Sequence, residues 1–360
     1  MSVKQLTAAF DEWTAGHEPL VLATVYETTG STYSKPGAQM LINGRGDFQG
    51  MLSGGCLEGD LAERAREVLA SSRPQSVTYD LARNDEGLWG LGVGCDGMMR
   101  IFLQMLSAQS AWEPFASMRA AYQGETVETA ATILHSPDER VPAGSSLVSV
   151  AGRIVHSNVG KDLEHRIAGL SAAVVREGLS RTADLPGPGG EYKVLVAILR
   201  PPPRILVLGA GLDARPVLRL AADLGWRVIV QDHRPAYIGA GGFDDAEAVH
   251  CAPAEELDTN VDLSRIDAAI VMSHHLVTDG KYLKVLAGTE IPYIGLLGPV
   301  NRRRRLLRDL GDFADKLRDR VHGPAGIDIG ASGPASIALS IMAEVHKALS
   351  ATRGSAAGRS

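Results

Sequence analysis

Pro201-Pro202-Pro203 leads straight into an apolar run, Arg204 to Leu208, and then into Gly209-Ala210-Gly211-Leu212-Asp213-Ala214. Three consecutive prolines cannot lie inside a helix or a central strand, so they mark a stiff boundary. The stretch beyond them matches G-x-G-x-x-A between a strand and a helix, Asp213 to Leu224. In that motif the first glycine allows a tight turn and the second lets the backbone approach a phosphate. Ala214 keeps the helix close to its sheet. The next strand, Trp226 to Gln231, ends at Asp232, where such folds place an acceptor for ribose hydroxyls. Arg215 lies near the helix start, in reach of a phosphate, and Arg234 sets a cation beside the acid. Strand and helix alternate through Ala268–Met272, Gly280–Leu286 and Tyr293–Leu297, with helices over Arg302–Leu317 and Ala335–Leu349. This pattern predicts a Rossmann-like, doubly wound parallel sheet. A purely structural reading stays open, in which the glycines only pack the helix on the sheet.

The N-terminal half is also α/β. Val3 to Trp13 has helical apolar spacing, Leu20–Tyr26 and Ala38–Ile42 read as strands, and Phe48–Leu52 as a short third strand. A helix starts near Cys56, and Val77–Tyr79 and Met98–Leu103 follow as strands. The middle offers a helix near Glu113–Tyr122 and strands near Glu128–Leu134 and Ser146–Val150. It continues with a helix near Leu163–Glu177, a Leu185–Gly190 loop and a Tyr192–Leu199 strand. The domains are thus read as 1–108, a middle α/β segment 109–200, a Rossmann-like domain 201–350 and a disordered tail 351–360.

Two cysteines are framed by glycines: Ser53-Gly54-Gly55-Cys56 and Gly92-Val93-Gly94-Cys95. A glycine frame leaves a thiol open to ligands, and a helix start has free N–H groups that favour a thiolate. Cys56 and Cys95 are therefore the candidate soft metal ligands, with buried structural thiols as the alternative. Cys251 has no such frame and reads as a packing residue. Glu58 follows Cys56 in the first turn, where it either complements the helix dipole or serves the site.

The net charge of −6 gives no support for nucleic-acid binding. Three cysteines in 360 residues make no disulfide framework, which suits a reducing cytoplasm. The N-terminus carries Asp11 and Glu12 and does not read as a signal peptide, and no run approaches the roughly 18 apolar residues of a membrane span.

With these pieces assembled, the chain resembles the XdhC/CoxI family, accessory proteins of xanthine dehydrogenase and related molybdenum hydroxylases. The resemblance rests on Leu22-Ala23-Thr24-Val25, Gly30-Ser31, Pro36-Gly37-Ala38, Ser53 to Glu58 and Gly92 to Cys95. In the second half it adds Pro201 to the Gly209 turn, Asp232-His233-Arg234-Pro235, Tyr293 to Gly298, His322 to Gly330 and Ala338 to Glu344. Departures are Asp96 where the family commonly has glycine, Pro299 where serine is frequent and Leu212 where many members have histidine. The resemblance implies a carrier rather than a turnover enzyme. Such a protein binds molybdenum cofactor (molybdopterin), holds it during sulfuration and delivers it to an apo-molybdenum hydroxylase. A cysteine desulfurase would supply the sulfur, and a homodimer is the default assembly.

An anionic pterin with a phosphate needs backbone N–H groups, cations and a soft ligand near the metal. The candidate binding residues are Ser53, Gly54, Gly55, Cys56, Glu58, Gly94, Cys95, Gly209, Gly211, Arg215, Asp232, Arg234, His274, Asp279, Gly298, Arg302 and Asp328. His274, His275 and Asp279 follow a strand end and are equally readable as loop residues. Arg302 opens an arginine run that is otherwise a solvated helix face, and Asp328 lies in a glycine-proline loop that turn geometry alone explains. Two other functions compete. An NAD(P)-dependent oxidoreductase would use the Gly209 turn and Asp232 but leaves the framed cysteines unexplained. A persulfide sulfur carrier would use Cys56 or Cys95 without pterin.

Overall fold

A computed structural model describes residues 2–80 and 97–355, which divide into two compact units between Pro201 and Pro202. The first unit opens with α1 (Val3–Thr14), capped by Ser2, whose side chain accepts from the Gln5 amide. There follow β1 (Leu20–Thr29), β2 (Gln39–Asn43), β3 (Phe48–Gln49), α2 (Glu58–Ser71), β4 (Gln75–Asp80) and β5 (Met98–Leu106). These strands form an antiparallel sheet in the order β3-β2-β1-β5-β4.

The same succession then recurs: α3 (Phe115–Gln123), β6 (Glu128–His135), β7 (Ser146–Val150), β8 (Arg153–Ser157), α4 (Lys161–Glu177), β9 (Arg181–Gly187) and β10 (Gly190–Leu199). Its strand order, β8-β7-β6-β10-β9, copies the first sheet position for position. An offset of 106 residues carries the last residue of β1, Thr29, onto that of β6, His135, and the last residue of α2, Ser71, onto that of α4, Glu177. The first unit is an internal duplication.

Alternation along the strands builds its layers. On β1, Val21, Ala23 and Val25 pack against Leu61, Ala65 and Val68 of α2. The copy matches this, with Ala131 and Ile133 of β6 against Leu163, Ile167 and Val174 of α4. The opposite faces, through Leu20, Leu22, Leu106, Ala130, Val148 and Leu199, share one core with α1 and α3. Two helices thus flank two sheets. The halves also touch reciprocally: a Cβ on Gly37 would collide with the Ser180 hydroxyl, and one on Gly144 would stand 3.7 Å from Pro74.

In the second unit, six parallel strands lie in the order β13-β12-β11-β14-β15-β16. They are β11 (Arg204–Leu208), β12 (Arg227–Asp232), β13 (Ala248–Cys251), β14 (Ala268–Val271), β15 (Tyr293–Leu296) and β16 (Val321–His322). The helices are α5 (Ala214–Asp223), α6 (Pro235–Gly239), α7 (Leu257–Asn260), α8 (Leu276–Leu286), α9 (Val300–Asp309), α10 (Phe313–Leu317) and α11 (Pro334–Ser355). α5 and α11 cover one face around Val207 and Ile270, and α7, α8 and α9 cover the other around Leu206 and Val271. This is the doubly wound Rossmann arrangement, and the order reverses between β11 and β14.

Several expected boundaries move. The third strand stops at Gln49, and the Leu185–Gly190 loop is mostly strand, closed by Pro188-Gly189. β9 accommodates Pro186 because it is an edge strand. The single helix expected over Arg302–Leu317 breaks at Gly311, which takes a left-handed φ of 56°. The final helix runs to Ser355, into the stretch expected as a disordered tail, and residues 356–360 lie outside the described residues.

Candidate functional site

In the first sheet β1, β3 and β4 run the same way, so the segments that follow them all leave one end. Those segments are 30–38, 50–57 and 81–97, and the two glycine-framed cysteines fall in the second and third. Both segments start from the same end of the sheet. Gly92, Gly94 and Cys95 lie outside the described residues. Gly97, two positions after Cys95, is packed against the Ser31 carbonyl and the Thr32 methyl, where no side chain would fit.

The segment carrying Cys56 is organised from beneath by Glu58, which is 1% exposed. One carboxylate oxygen accepts from the amides of Leu52 at 2.8 Å and Ser53 at 2.9 Å. The other accepts from the Ser53 hydroxyl at 2.6 Å and the amides of Gly55 at 3.0 Å and Leu57 at 3.2 Å. Burial pushes this carboxyl up, but the hydrogen bonds from Ser53 and Leu52 outweigh it and hold the group below its usual range. Gly54 and Gly55 take φ of 82° and 109°, a region that favours glycine. Both glycines are exposed and Cys56 is half-buried. Cys56 stands two residues ahead of α2 rather than in it, and the amides on either side of it already serve Glu58. The free N–H groups expected to favour a thiolate are therefore partly taken. Tyr33, which sequence reasoning missed, lies beside Gly54 and is 62% exposed. Only its neighbour Lys35-Pro36-Gly37, a loop signal, pointed there.

In the second unit, most of the remaining candidates gather at the carboxyl ends of the strands. Gly209 is needed there for packing: a Cβ would sit 2.5 Å from the Met272 carbonyl on the adjacent strand end. Asp232 is fully buried. It accepts from the Ala210 amide at 2.7 Å and from the Arg234 guanidinium at 2.7 and 2.9 Å, so both oxygens are engaged. Burial raises its carboxyl, and the Arg234 and Ala210 hydrogen bonds more than reverse that. Arg234 also lies over the Tyr237 ring at 3.7 Å.

Arg215 turns away to the loop after α6, donating to the Ala240 carbonyl at 2.8 Å. The start of α5 is instead faced by Asp213, whose Oδ2 is 2.7 Å from His274 Nε2. A Cβ on Gly211 would meet that carboxylate at 2.5 Å. His274, at the reversal point of the sheet, is exposed and takes a left-handed φ of 61°. His275 caps α8 by accepting from the Thr278 amide. Asp279 is buried between the Ser273 hydroxyl and Arg302 Nη2, and the Arg302 stem occupies the space beside Gly298. Asp328 is exposed and accepts from the Gly330 amide in its own turn. Cys251 is exposed at the end of edge strand β13, contrary to the packing expected of it, because an edge strand offers it no cover.

Chemically, the first unit presents a shaped, exposed loop with a thiol and an aromatic ring. The second presents cations partly tied to carboxylates. Among the described residues no group of three or more His, Cys, Asp and Glu is placed to hold a metal ion, and no helix is long and apolar enough to cross a membrane.

Comparison with known proteins yields two family matches, the XdhC and CoxI family over residues 13–80 and the XdhC Rossmann domain over residues 205–345. A probable xanthine dehydrogenase subunit of Bacillus subtilis is 32% identical, over 91% of this chain and 92% of that one. The molybdenum cofactor insertion chaperone PaoD of Escherichia coli is 22% identical, over 90% of this chain and 82% of its own. The crystal structure of a xanthine dehydrogenase from Bacillus halodurans superposes with a TM-score of 0.79 at 26% identity, covering 98% and 97% of the two chains.

Proposed function

The chain belongs to the XdhC and CoxI family, and on that premise we propose that it carries molybdenum cofactor as cargo. In this reading it binds the cofactor, shelters it while a terminal oxo ligand is exchanged for sulfur, and delivers it to an apo-molybdenum hydroxylase in the cytoplasm. A cysteine desulfurase is the sulfur source, and a homodimer is the working assembly. The PaoD relative, named as an insertion chaperone for the same cofactor, supports the class of cargo.

The observation that carries the reading is the Ser53–Leu57 loop. A buried carboxylate with five donors fixes an exposed loop whose glycines leave Cys56 accessible. Core packing makes no such demand of an exposed loop, whereas ligand binding does. With no cage of protein ligands among the described residues, molybdenum would keep its own dithiolene and accept only thiol contact, from Cys56 and Cys95.

The oxidoreductase alternative fits the geometry less well. A ribose would have to compete with Arg234 and Ala210 for Asp232, and a dinucleotide phosphate would meet the Asp213 carboxylate at the start of α5.

The test is to load the reduced chain with molybdenum cofactor, and separately with NADH and NADPH, and to follow bound pterin through gel filtration. Stoichiometric retention that is lost in Cys56→Ser and Cys95→Ser supports the carrier. Nicotinamide binding without pterin retention would reject it.

A further inference from the structure

Lone exposed aromatic side chains are common on protein surfaces and need no explanation by themselves. Tyr33 differs in how it is held. The segment 30–38 that bears it is tied on both sides. Thr32 Oγ1 donates to the Ser34 carbonyl at 2.9 Å, closing a tight turn around Tyr33. Ser34 Oγ donates to the Met51 carbonyl at 3.3 Å, fastening that turn to the loop that carries Cys56. On the other side Gly97 seats against Ser31 and Thr32 so closely that only glycine fits.

The ring therefore has a fixed seat. Its Cδ2 and Cε2 lie 3.5 and 3.6 Å from where a Gly54 Cβ would stand, so that edge of the ring lies beside Gly54 while most of the side chain stays in water. Next to it, among the described residues, nothing lies within 4 Å of the Cβ position of Gly55, and the half-buried Cys56 follows. A rigid ring, an open glycine floor and a soft sulfur in sequence match a flat heteroaromatic ring bonded to a thiophilic metal.

We propose that Tyr33 is the stacking wall of the site, lying against the pterin ring of the cargo while Cys56 faces its metal end. This rests on the carrier reading and adds to it the residue that recognises the organic half of the cofactor. Stacking of a planar base on an aromatic side chain is of the size that removing the ring weakens binding about tenfold. A phenylalanine keeps the ring, so its loss stays within about twofold.

The probe is 6-hydroxymethylpterin, which has the ring but no phosphate, dithiolene or metal, titrated into the full chain by quenching of pterin fluorescence. Tyr33→Ala is expected to weaken binding about tenfold, with Tyr33→Phe close to the parent. Equal affinity of Tyr33→Ala and the parent, or no quenching of the parent up to the solubility of the probe, overturns the stacking wall. Circular dichroism of each variant checks that the fold is retained, and Tyr33→Leu, apolar but not aromatic, must bind like the alanine variant. Gel filtration with whole cofactor separates the two readings. Retention that ignores Tyr33→Ala leaves the carrier standing without this wall, and no retention by the parent removes the carrier itself.

Discussion

The two halves of the first unit have the same elements in the same order, and even nearly the same φ at corresponding glycines, 82° at Gly54 and 81° at Gly160. Leu57 and Leu163 are both buried at the corresponding helix starts, each followed by a glutamate, Glu58 and Glu164. What differs is what the glutamate holds. Glu58 gathers five donors beneath a half-buried thiol, while Glu164 pairs with the exposed Lys161 at 2.8 Å. Where the first copy has Gly55-Cys56, the second has Lys161-Asp162. Where β4 and β5 are joined by residues 81–97, β9 and β10 are joined by Pro188-Gly189 alone. The scaffold is thus indifferent to the site, and the candidate function sits in the segments that one copy has and the other lacks.

The sharpest way to break this comparison is to delete the two glutamates in parallel. Glu58→Ala strands several buried donors and is expected to cost about 3 kcal/mol or more of unfolding free energy. Glu164→Ala removes a pair with the exposed Lys161 and a contact with Ser157, and should cost about 0.5 kcal/mol. Urea unfolding of both variants measures this, and equal losses would show that the copies are not differentiated in the way argued.

Acid provides a second test. Glu58 and Asp232 are held below the usual carboxylate range when folded, so each stabilises fully above the unfolded value, about 4, and that contribution is lost as pH falls through the depressed folded value. Stability should therefore drop below about pH 4, and Glu58→Gln should flatten that drop. Glu164 is also held low, by its Lys161 and Ser157 partners, but a Gln there should leave the acid limb nearly unchanged because the partner lysine is exposed. Gly54→Ala and Gly160→Ala come next. Both force an alanine to a positive φ, at about 1 kcal/mol or more each. Only the first is expected to lower cofactor retention. Cys56→Ser is the mildest, within about 0.5 kcal/mol in stability, yet it should abolish retention of the metal-bearing cargo. Serine that retains cargo would place the site elsewhere.

Much of the fold was legible because burial writes itself into periodicity. Runs such as Leu20–Tyr26 and Arg204–Leu208 are buried on both faces and read as strands. The strands that went unread, β8, β9, β13 and β16, are edge strands, partly exposed and mostly short, so they carry little apolar signature. The duplication also went unread, since it is preserved in topology and in a few buried positions rather than in sequence. Within the site, the Ser53–Cys56 loop was visible from its glycines, but Glu58 as its organiser was not, because an acid near a helix start reads equally well as a dipole partner. Asp232 was correctly placed at a strand end. Its capture by Arg234 needed coordinates, as did the turn of Arg215 away from the helix start.

The difference in strand connections has a kinetic consequence. β9 and β10 meet across two residues, whereas β4 and β5 must close across residues 81–97. Closing the longer segment carries an extra entropic cost of about 2 kcal/mol. Hydrogen exchange during refolding should therefore protect the β6–β10 sheet before the β1–β5 sheet. The half without the candidate site would then be the surface on which the half bearing Cys56 condenses, and damage to that silent half should delay the appearance of binding more than it weakens it.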